Sequence, residues 1–138
     1  WTWSGRNISG NAEYFFNGFG QSDGCYSPDC LAENPELLER IARRQLFTLG
    51  RHYLGGNLMI EMTPLFTLTP QLFWNLSDHS ALLQVVTQNS LGDDLVLLGA
   101  LSLPMGPRGT EYGGIETDIP GVYFSSDLEF FVQLGWYF

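Results

Sequence analysis

The last fifteen residues, Phe124 to Phe138, alternate between apolar and polar or small side chains. The even positions are apolar except for Ser126, and the odd positions are mostly polar or small. A period of two over this length indicates a β-strand with one apolar and one polar face. A strand needs about 9–11 residues to cross a bilayer, whereas soluble strands average about 5–6 residues, so this segment is long enough to span a membrane.

This final strand ends on Trp136, Tyr137 and Phe138, where an interfacial aromatic girdle would lie. An alternating C-terminal strand with a terminal Phe resembles the closing strand of porin-like Gram-negative outer-membrane β-barrels. The resemblance implies a location in the bacterial outer membrane with the C-terminus in the periplasm. It also implies that the barrel-assembly machinery reads this strand as a signal, carried by Phe130, Val132, Leu134, Trp136 and Phe138.

The composition agrees with a membrane-embedded β-wall. The chain has 138 residues, enough for one domain, and only 15% of them are charged, against about a quarter in soluble domains. It contains no run of roughly 18 apolar residues, which excludes a transmembrane helix. The net charge of −9, with only six Lys and Arg residues, argues against a nucleic-acid partner.

The period of two predicts six antiparallel strands, at residues 2–19, 46–62, 66–77, 81–91, 95–105 and 124–138. Two long loops, 20–45 and 106–123, interrupt them, and Asn34 and Pro35 open one short helix in the first loop. The prediction is a single all-β domain over residues 1–138, an antiparallel up-and-down transmembrane β-barrel wall. If the final strand descends to the periplasm, both long loops lie outside and the tight turns inside, as in outer-membrane barrels.

Six strands are too few for a complete barrel, because single-chain bacterial barrels begin at eight and open edges are unfavourable in lipid. We therefore expect this segment to be part of a larger barrel. The missing strands would come from the rest of a longer chain, from another subunit or from a symmetry copy. The start at Trp1, within a predicted strand, favours the first source.

The alternation also assigns side chains to the two faces. The outward face would contact lipid through Leu54, Leu58, Ile60, Leu68, Leu72, Trp74, Leu101, Val132, Leu134 and Trp136. The inward face would line a pore, with the candidates Asn11, Glu13, Arg51, Asn57, Glu61, Gln71, Gln84, Gln88, Glu129 and Gln133. Because acids outnumber bases among these candidates, the lumen would mildly favour cations.

These assignments predict a pore or export channel for small polar or cationic solutes, in contact with outer-membrane lipid and lipopolysaccharide. A first alternative is a non-conducting barrel that serves as an anchor, receptor or sleeve for a partner protein. A second alternative is a soluble, secreted β-domain that acts as a binding module.

No catalytic, metal or cofactor motif is evident, so we do not predict an enzyme. His79 lies in a polar turn, Ser77 to Ser80, too compact for a triad on one face, and His52 should face lipid or the girdle. The acidic residues of the long loops, Asp23, Asp29, Glu111, Glu116 and Asp118, are expected to be solvated, with calcium binding as the alternative.

Cys25 and Cys30 are the only cysteines. Their separation is too short a motif for a metal site, and it favours a local disulfide formed in an oxidising compartment.

Overall fold

The computed structural model describes residues 2–3, 7–125 and 127–138. In chain order its elements are β1 (Thr2–Trp3), β2 (Ile8–Phe16), α1 (Pro28–Ala32), α2 (Pro35–Ala42), β3 (His52–Thr63), β4 (Phe66–Asn75), β5 (Ser80–Ser90), β6 (Leu95–Met105), β7 (Ile115–Glu116), β8 (Tyr123–Phe124) and β9 (Glu129–Trp136). Seven strands form one antiparallel sheet in the order β1-β2-β3-β4-β5-β6-β9, and β7 and β8 form a separate pair. The prediction of an antiparallel all-β fold is confirmed.

The sheet has two ends that differ in their connections. At the loop end lie loop A, residues 17–51, and loop B, residues 106–128, together with the turn between β4 and β5. At the turn end lie the short links between β3 and β4 and between β5 and β6. Strands β1 and β9 occupy opposite edges, and no pairing joins these edges among the described residues.

The first predicted strand, residues 2–19, is wrong as a single element. Thr2 pairs with Ser9 and Trp3 with Ile8, so the chain reverses between β1 and β2. The described residues do not include Trp1, Ser4, Gly5, Arg6 and Ser126. Even positions of β1 pair with odd positions of β2, so the phase of the alternation changes at the reversal, which a single continuous strand does not allow.

Two further strand boundaries differ from the predicted ones. At the start of loop A, the Asn17 amide donates to the carbonyl oxygen of Thr48 at 3.1 Å, so the chain leaves the ladder earlier than residue 19. The last predicted strand, 124–138, is divided, because Phe124 belongs to β8 and β9 begins at Glu129.

Loop A contains two helices where the sequence predicted one. Asn34 caps α2 as expected, accepting a hydrogen bond from the Leu37 amide at 3.3 Å. The additional helix, α1, is capped by Ser27, whose hydroxyl accepts from the Cys30 amide. Pro at the first helical position follows each cap, so both helices use the same start signal.

The predicted disulfide between Cys25 and Cys30 is present, with Cα atoms 5.9 Å apart. It encloses the Ser27 cap and thereby fixes the entry to α1. Among the described residues, no helix is both long and apolar enough to cross a membrane.

The buried core lies at the loop end and not beneath the sheet. The buried hydrophobic side chains of the described residues are Tyr26, Leu37 and Tyr53, two of them from loop A. Large apolar side chains elsewhere on the sheet remain exposed, such as Leu134 at 61% and Trp136 at 74%. The helices of loop A therefore cover only one end of the sheet, and the rest of the sheet is exposed on both faces.

Adjacent leucines of α2 provide a matched test of this core. Leu37 is fully buried and Leu38 is 40% exposed. Leu37→Ala should lower the free energy of unfolding by about 2–5 kcal/mol, because it removes buried apolar surface and leaves a cavity. Leu38→Ala should cost about 1 kcal/mol or less. Urea titration of both variants measures the difference, and equal losses would contradict the burial of Leu37.

Candidate functional site

One row of polar side chains crosses the sheet at mid-height. Cross-strand pairing places Asn11 opposite Asn57, Asn57 opposite Gln71, and Gln71 opposite Gln84. The row continues through β6 to β9, since Gln84 lies opposite Ser102 and Ser102 opposite Glu129. Directly paired residues share a face, so these side chains project from the same side of the sheet. We name this row the amide belt: Asn11, Asn57, Gln71, Gln84, Ser102 and Glu129.

The face that carries the belt is the polar face, and most of the other pore-lining candidates lie on it. Toward the turn end, Glu61, Gln88 and Gln133 belong to one further row, which also contains Thr67 and Leu98. Toward the loop end, Glu13 lies opposite Gly55. The structure therefore brings nine of the ten candidates together: Asn11, Glu13, Asn57, Glu61, Gln71, Gln84, Gln88, Glu129 and Gln133.

Arg51 does not join this lining. It precedes β3 at the loop end, and its Nε donates to the carbonyl oxygen of Gly20 at 3.0 Å. Its own backbone amide donates to the Ser77 hydroxyl at 3.1 Å. These contacts make Arg51 a link between loop A and the β4–β5 turn, which removes it from the strand pattern on which its prediction relied.

The opposite, apolar face carries all ten side chains predicted to contact lipid. Pairing places Leu54 opposite Trp74, Ile60 opposite Leu68, and Leu97 opposite Leu134. His52 also lies on this face, where its Nδ1 is 2.6 Å from the Tyr14 hydroxyl and its ring lies 5.4 Å from that of Phe16. It is thus part of an aromatic group at the loop end.

A buried polar cluster closes the loop end of the polar face. Glu111 of loop B accepts hydrogen bonds from the Tyr53 hydroxyl at 2.6 Å and from the Asn75 amide at 2.8 Å. Its other carboxylate oxygen accepts from the Leu49 backbone amide at 3.0 Å. The Asn75 amide also donates to the Tyr26 hydroxyl of loop A at 2.9 Å. Both long loops are therefore attached to the same asparagine of β4.

The β4–β5 turn adds a second attachment for loop B. Asp78 accepts from the Glu111 backbone amide at 2.7 Å and from the Ser80 amide and hydroxyl, both at 2.8 Å. Ser80 in turn accepts from the Tyr112 backbone amide at 3.3 Å. Across the described residues, every buried side-chain nitrogen or oxygen has a hydrogen-bond partner. The cluster therefore attaches loop B to the sheet with all of its buried polar side-chain atoms hydrogen-bonded.

The expectation that Glu111 is solvated is wrong. The segment Gly106 to Gly114 is glycine-rich, but it folds tightly, and a Cβ on Gly113 would collide with the carbonyl oxygens of Gly106 and Pro107. This compact turn inserts the Glu111 side chain beneath the loop. Neither Glu111 nor its partners Tyr53 and Asn75 were predicted as site residues. Ser102 of the belt was also missed, although its position follows the strand alternation.

Burial sets the electrostatics of the cluster. Desolvation raises the pKa of the Glu111 carboxyl above its usual value, and the hydrogen bonds from Tyr53, Leu49 and Asn75 offset only part of this effect. The negative charge of Asp78 raises this pKa further. Burial likewise raises the pKa of the Tyr26 hydroxyl. Burial thus favours the neutral forms of Glu111 and Tyr26.

The described residues contain no group of three or more His, Cys, Asp or Glu side chains that could hold a metal ion. The acidic loop residues are dispersed: Asp23 accepts from the Cys25 amide, and Glu116 from the Gly121 amide. His79 lies in the β4–β5 turn with a φ of 61°. The absence of catalysis remains a prediction.

Comparison with protein-family models, with curated proteins and with solved structures found no match to this chain.

The raised pKa of Glu111 predicts a pH-dependent stability. A raised folded-state pKa contributes stability that is present below the ordinary value of 4.5 and is lost as the pH rises through the folded-state pKa. The wild type should therefore become less stable relative to Glu111→Gln as the pH rises from acid to neutral. Urea titrations across this range measure the difference. A wild type that instead gains stability over the variant would mean that the three donors outweigh burial.

Proposed function

We propose that this chain forms part of the wall of an outer-membrane β-barrel that acts as a pore or export channel for small polar or cationic solutes. One observation carries the proposal: a face crossed by a continuous row of polar side chains lies opposite an exposed, largely apolar face on the same sheet. Such a sheet needs an apolar medium on one side and an aqueous one on the other. A bilayer around a water-filled lumen supplies both.

The apolar face is too exposed for a sheet in water. Leu54, Leu58 and Leu72 are each 40% or more exposed, and Trp74 and Leu101 are 39% exposed. Contiguous apolar patches larger than a few hundred Å² are rare on monomeric soluble proteins. This disfavours the soluble, secreted binding module.

The height of the apolar face fits a bilayer. The cross-strand row that contains Trp74 reaches β6 at Met105, and the row that contains Trp136 reaches β6 at Leu95. These two positions of β6 are ten residues apart. Ten residues of strand extend about 33 Å, or roughly 25 Å when tilted by about 40° as barrel strands are. This equals the usual apolar band of such barrels, and the aromatic side chains at both ends are where interfacial girdles belong.

The charge of the polar face supports the choice of solute. The described strand residues on this face include Glu13, Glu61 and Glu129 and no Lys or Arg. Glu61 accepts a hydrogen bond from the Asn7 amide. Carboxylates in a lumen attract cations and repel anions. Neutral polar and cationic solutes are therefore the favoured cargo.

The edges of the sheet support the proposed partners. In the described residues, no strand pairs with residues 11–16 of β2 on the side away from β3, and β9 pairs only with β6. Unsatisfied backbone groups cost several kcal/mol each in hydrocarbon. The wall would thus be completed by strands from a longer chain, another subunit or a symmetry copy, with lipid and lipopolysaccharide around it. The barrel-assembly machinery would read Phe130, Val132, Leu134, Trp136 and Phe138.

A non-conducting sleeve is the second candidate, because the polar face is not polar throughout. Phe73 and Leu82 are paired on it near the loop end, and Leu98 and Phe131 lie toward β9. These side chains would suit contact with a partner protein inside the barrel.

Adjacent residues of β9 test the assignment of faces. Val132→Arg places a charge on the apolar face and should cost about 2–4 kcal/mol, because Val132 lies opposite Gly99, near the middle of the apolar band. Gln133→Arg places the same charge on the polar face and should cost little. Urea-induced unfolding from lipid vesicles measures both variants, and equal tolerance would refute the membrane orientation.

Single-channel recording of the intact assembly in a planar bilayer tests conduction. A steady conductance for KCl is expected, and its preference for cations should fall in the double variant Glu13→Gln/Glu129→Gln, because two lumen carboxylates are lost. Electrical silence together with a stably bound partner protein would favour the sleeve.

A further inference from the structure

The amide belt offers polar atoms that the protein itself does not use. In the part of the chain that the structure describes, the side chains of Asn11, Asn57 and Gln71 make no hydrogen bond to another residue, whereas Asn75 at the loop end is fully occupied. Gln84 makes one hydrogen bond, donating to the Ser102 hydroxyl at 3.1 Å. Neighbouring strands are about 4.8 Å apart, so the belt presents a polar group at each such step across six strands.

We propose that the amide belt is a binding site for a neutral, hydroxyl-rich solute of the saccharide class. A carboxamide both donates and accepts hydrogen bonds, as a hydroxyl group does, so a row of carboxamides matches a solute with many hydroxyls. This inference rests on the proposed function, because it names the class of solute that the polar face would carry.

The end of the belt near β9 has the shape and chemistry of a subsite. An open cavity of about 550 Å³ lies there, lined by Gln84, Ala100, Ser102, Glu129, Phe130 and Phe131. Phe131 lies opposite the small Ala100, which leaves its ring accessible on the polar face. A ring face of this kind packs against the C–H groups of a sugar ring, while amide, hydroxyl and carboxylate groups bind its hydroxyls.

The composition of the belt favours a neutral solute over an ion. A single carboxylate, Glu129, stands at one end, and the belt contains no basic side chain. An anion would find no positive charge, and a metal cation would find only one carboxylate.

Binding of maltose to the full-length protein in detergent tests the proposal, with saturation-transfer NMR and calorimetry as readouts. Gln84→Leu and Phe131→Ala should each weaken maltose binding by roughly tenfold, because each removes a direct contact. The controls are Asn89→Leu, an amide of the same strand on the apolar face, and Phe66→Ala, a phenylalanine of β4 that lies opposite Asn89 on the apolar face. Both controls should bind maltose as the wild type does.

The outcomes separate this inference from the proposed function. No maltose binding by the wild type, or equal binding by all four variants, would overturn the saccharide site whether or not the protein conducts KCl. Maltose binding that is lost only in Gln84→Leu and Phe131→Ala would establish the site even in a protein that is electrically silent. Binding of choline but not of maltose would replace the saccharide site with a cation site.

Discussion

The register of the strand pairs is the constraint on which the rest of the structure depends. Successive side chains of a strand point to opposite faces, so a slip of one residue between two strands would transfer a whole set of side chains to the wrong face. The pairing of Asn57 with Gln71 and of Gln84 with Ser102 keeps polar groups together. The same registers keep Leu54 beside Trp74 on the other side. Two chemically distinct surfaces therefore arise from one ladder of backbone hydrogen bonds.

The loop end supplies the order that the open sheet lacks. A sheet exposed on both faces gains little from side-chain burial, and its few buried hydrophobic groups lie where loop A and loop B meet the strands. Tyr53 is both a strand residue and part of this core, since its hydroxyl donates to Glu111 and its ring is almost fully buried. Packing and polar contacts are thus concentrated at one end, and the belt lies in the exposed middle.

The sequence predicts what is local and misses what is distant. Gln71 and Glu129 could be assigned to one face because alternation within a strand decides it, and the Asn34 cap could be assigned because it acts three residues away. Glu111 could not, since its partners Leu49 and Tyr53 are about sixty positions earlier in the chain. From sequence alone, the glycines around Glu111 indicate a flexible loop. In the structure the lack of a side chain at Gly113 permits a tight turn instead. The prediction of site residues is therefore limited mainly by how far apart the interacting residues lie in the sequence.

Asn75 has a consequence for how the loops behave. Its one amide nitrogen donates to Tyr26 of loop A and to Glu111 of loop B, while its carbonyl oxygen accepts from the Ser77 amide. Elements that share a partner contribute to stability non-additively. Displacement of either loop removes one hydrogen-bond acceptor from the amide of this fully buried asparagine. The two loops are therefore energetically coupled through one side chain, although the chain between them contains four strands.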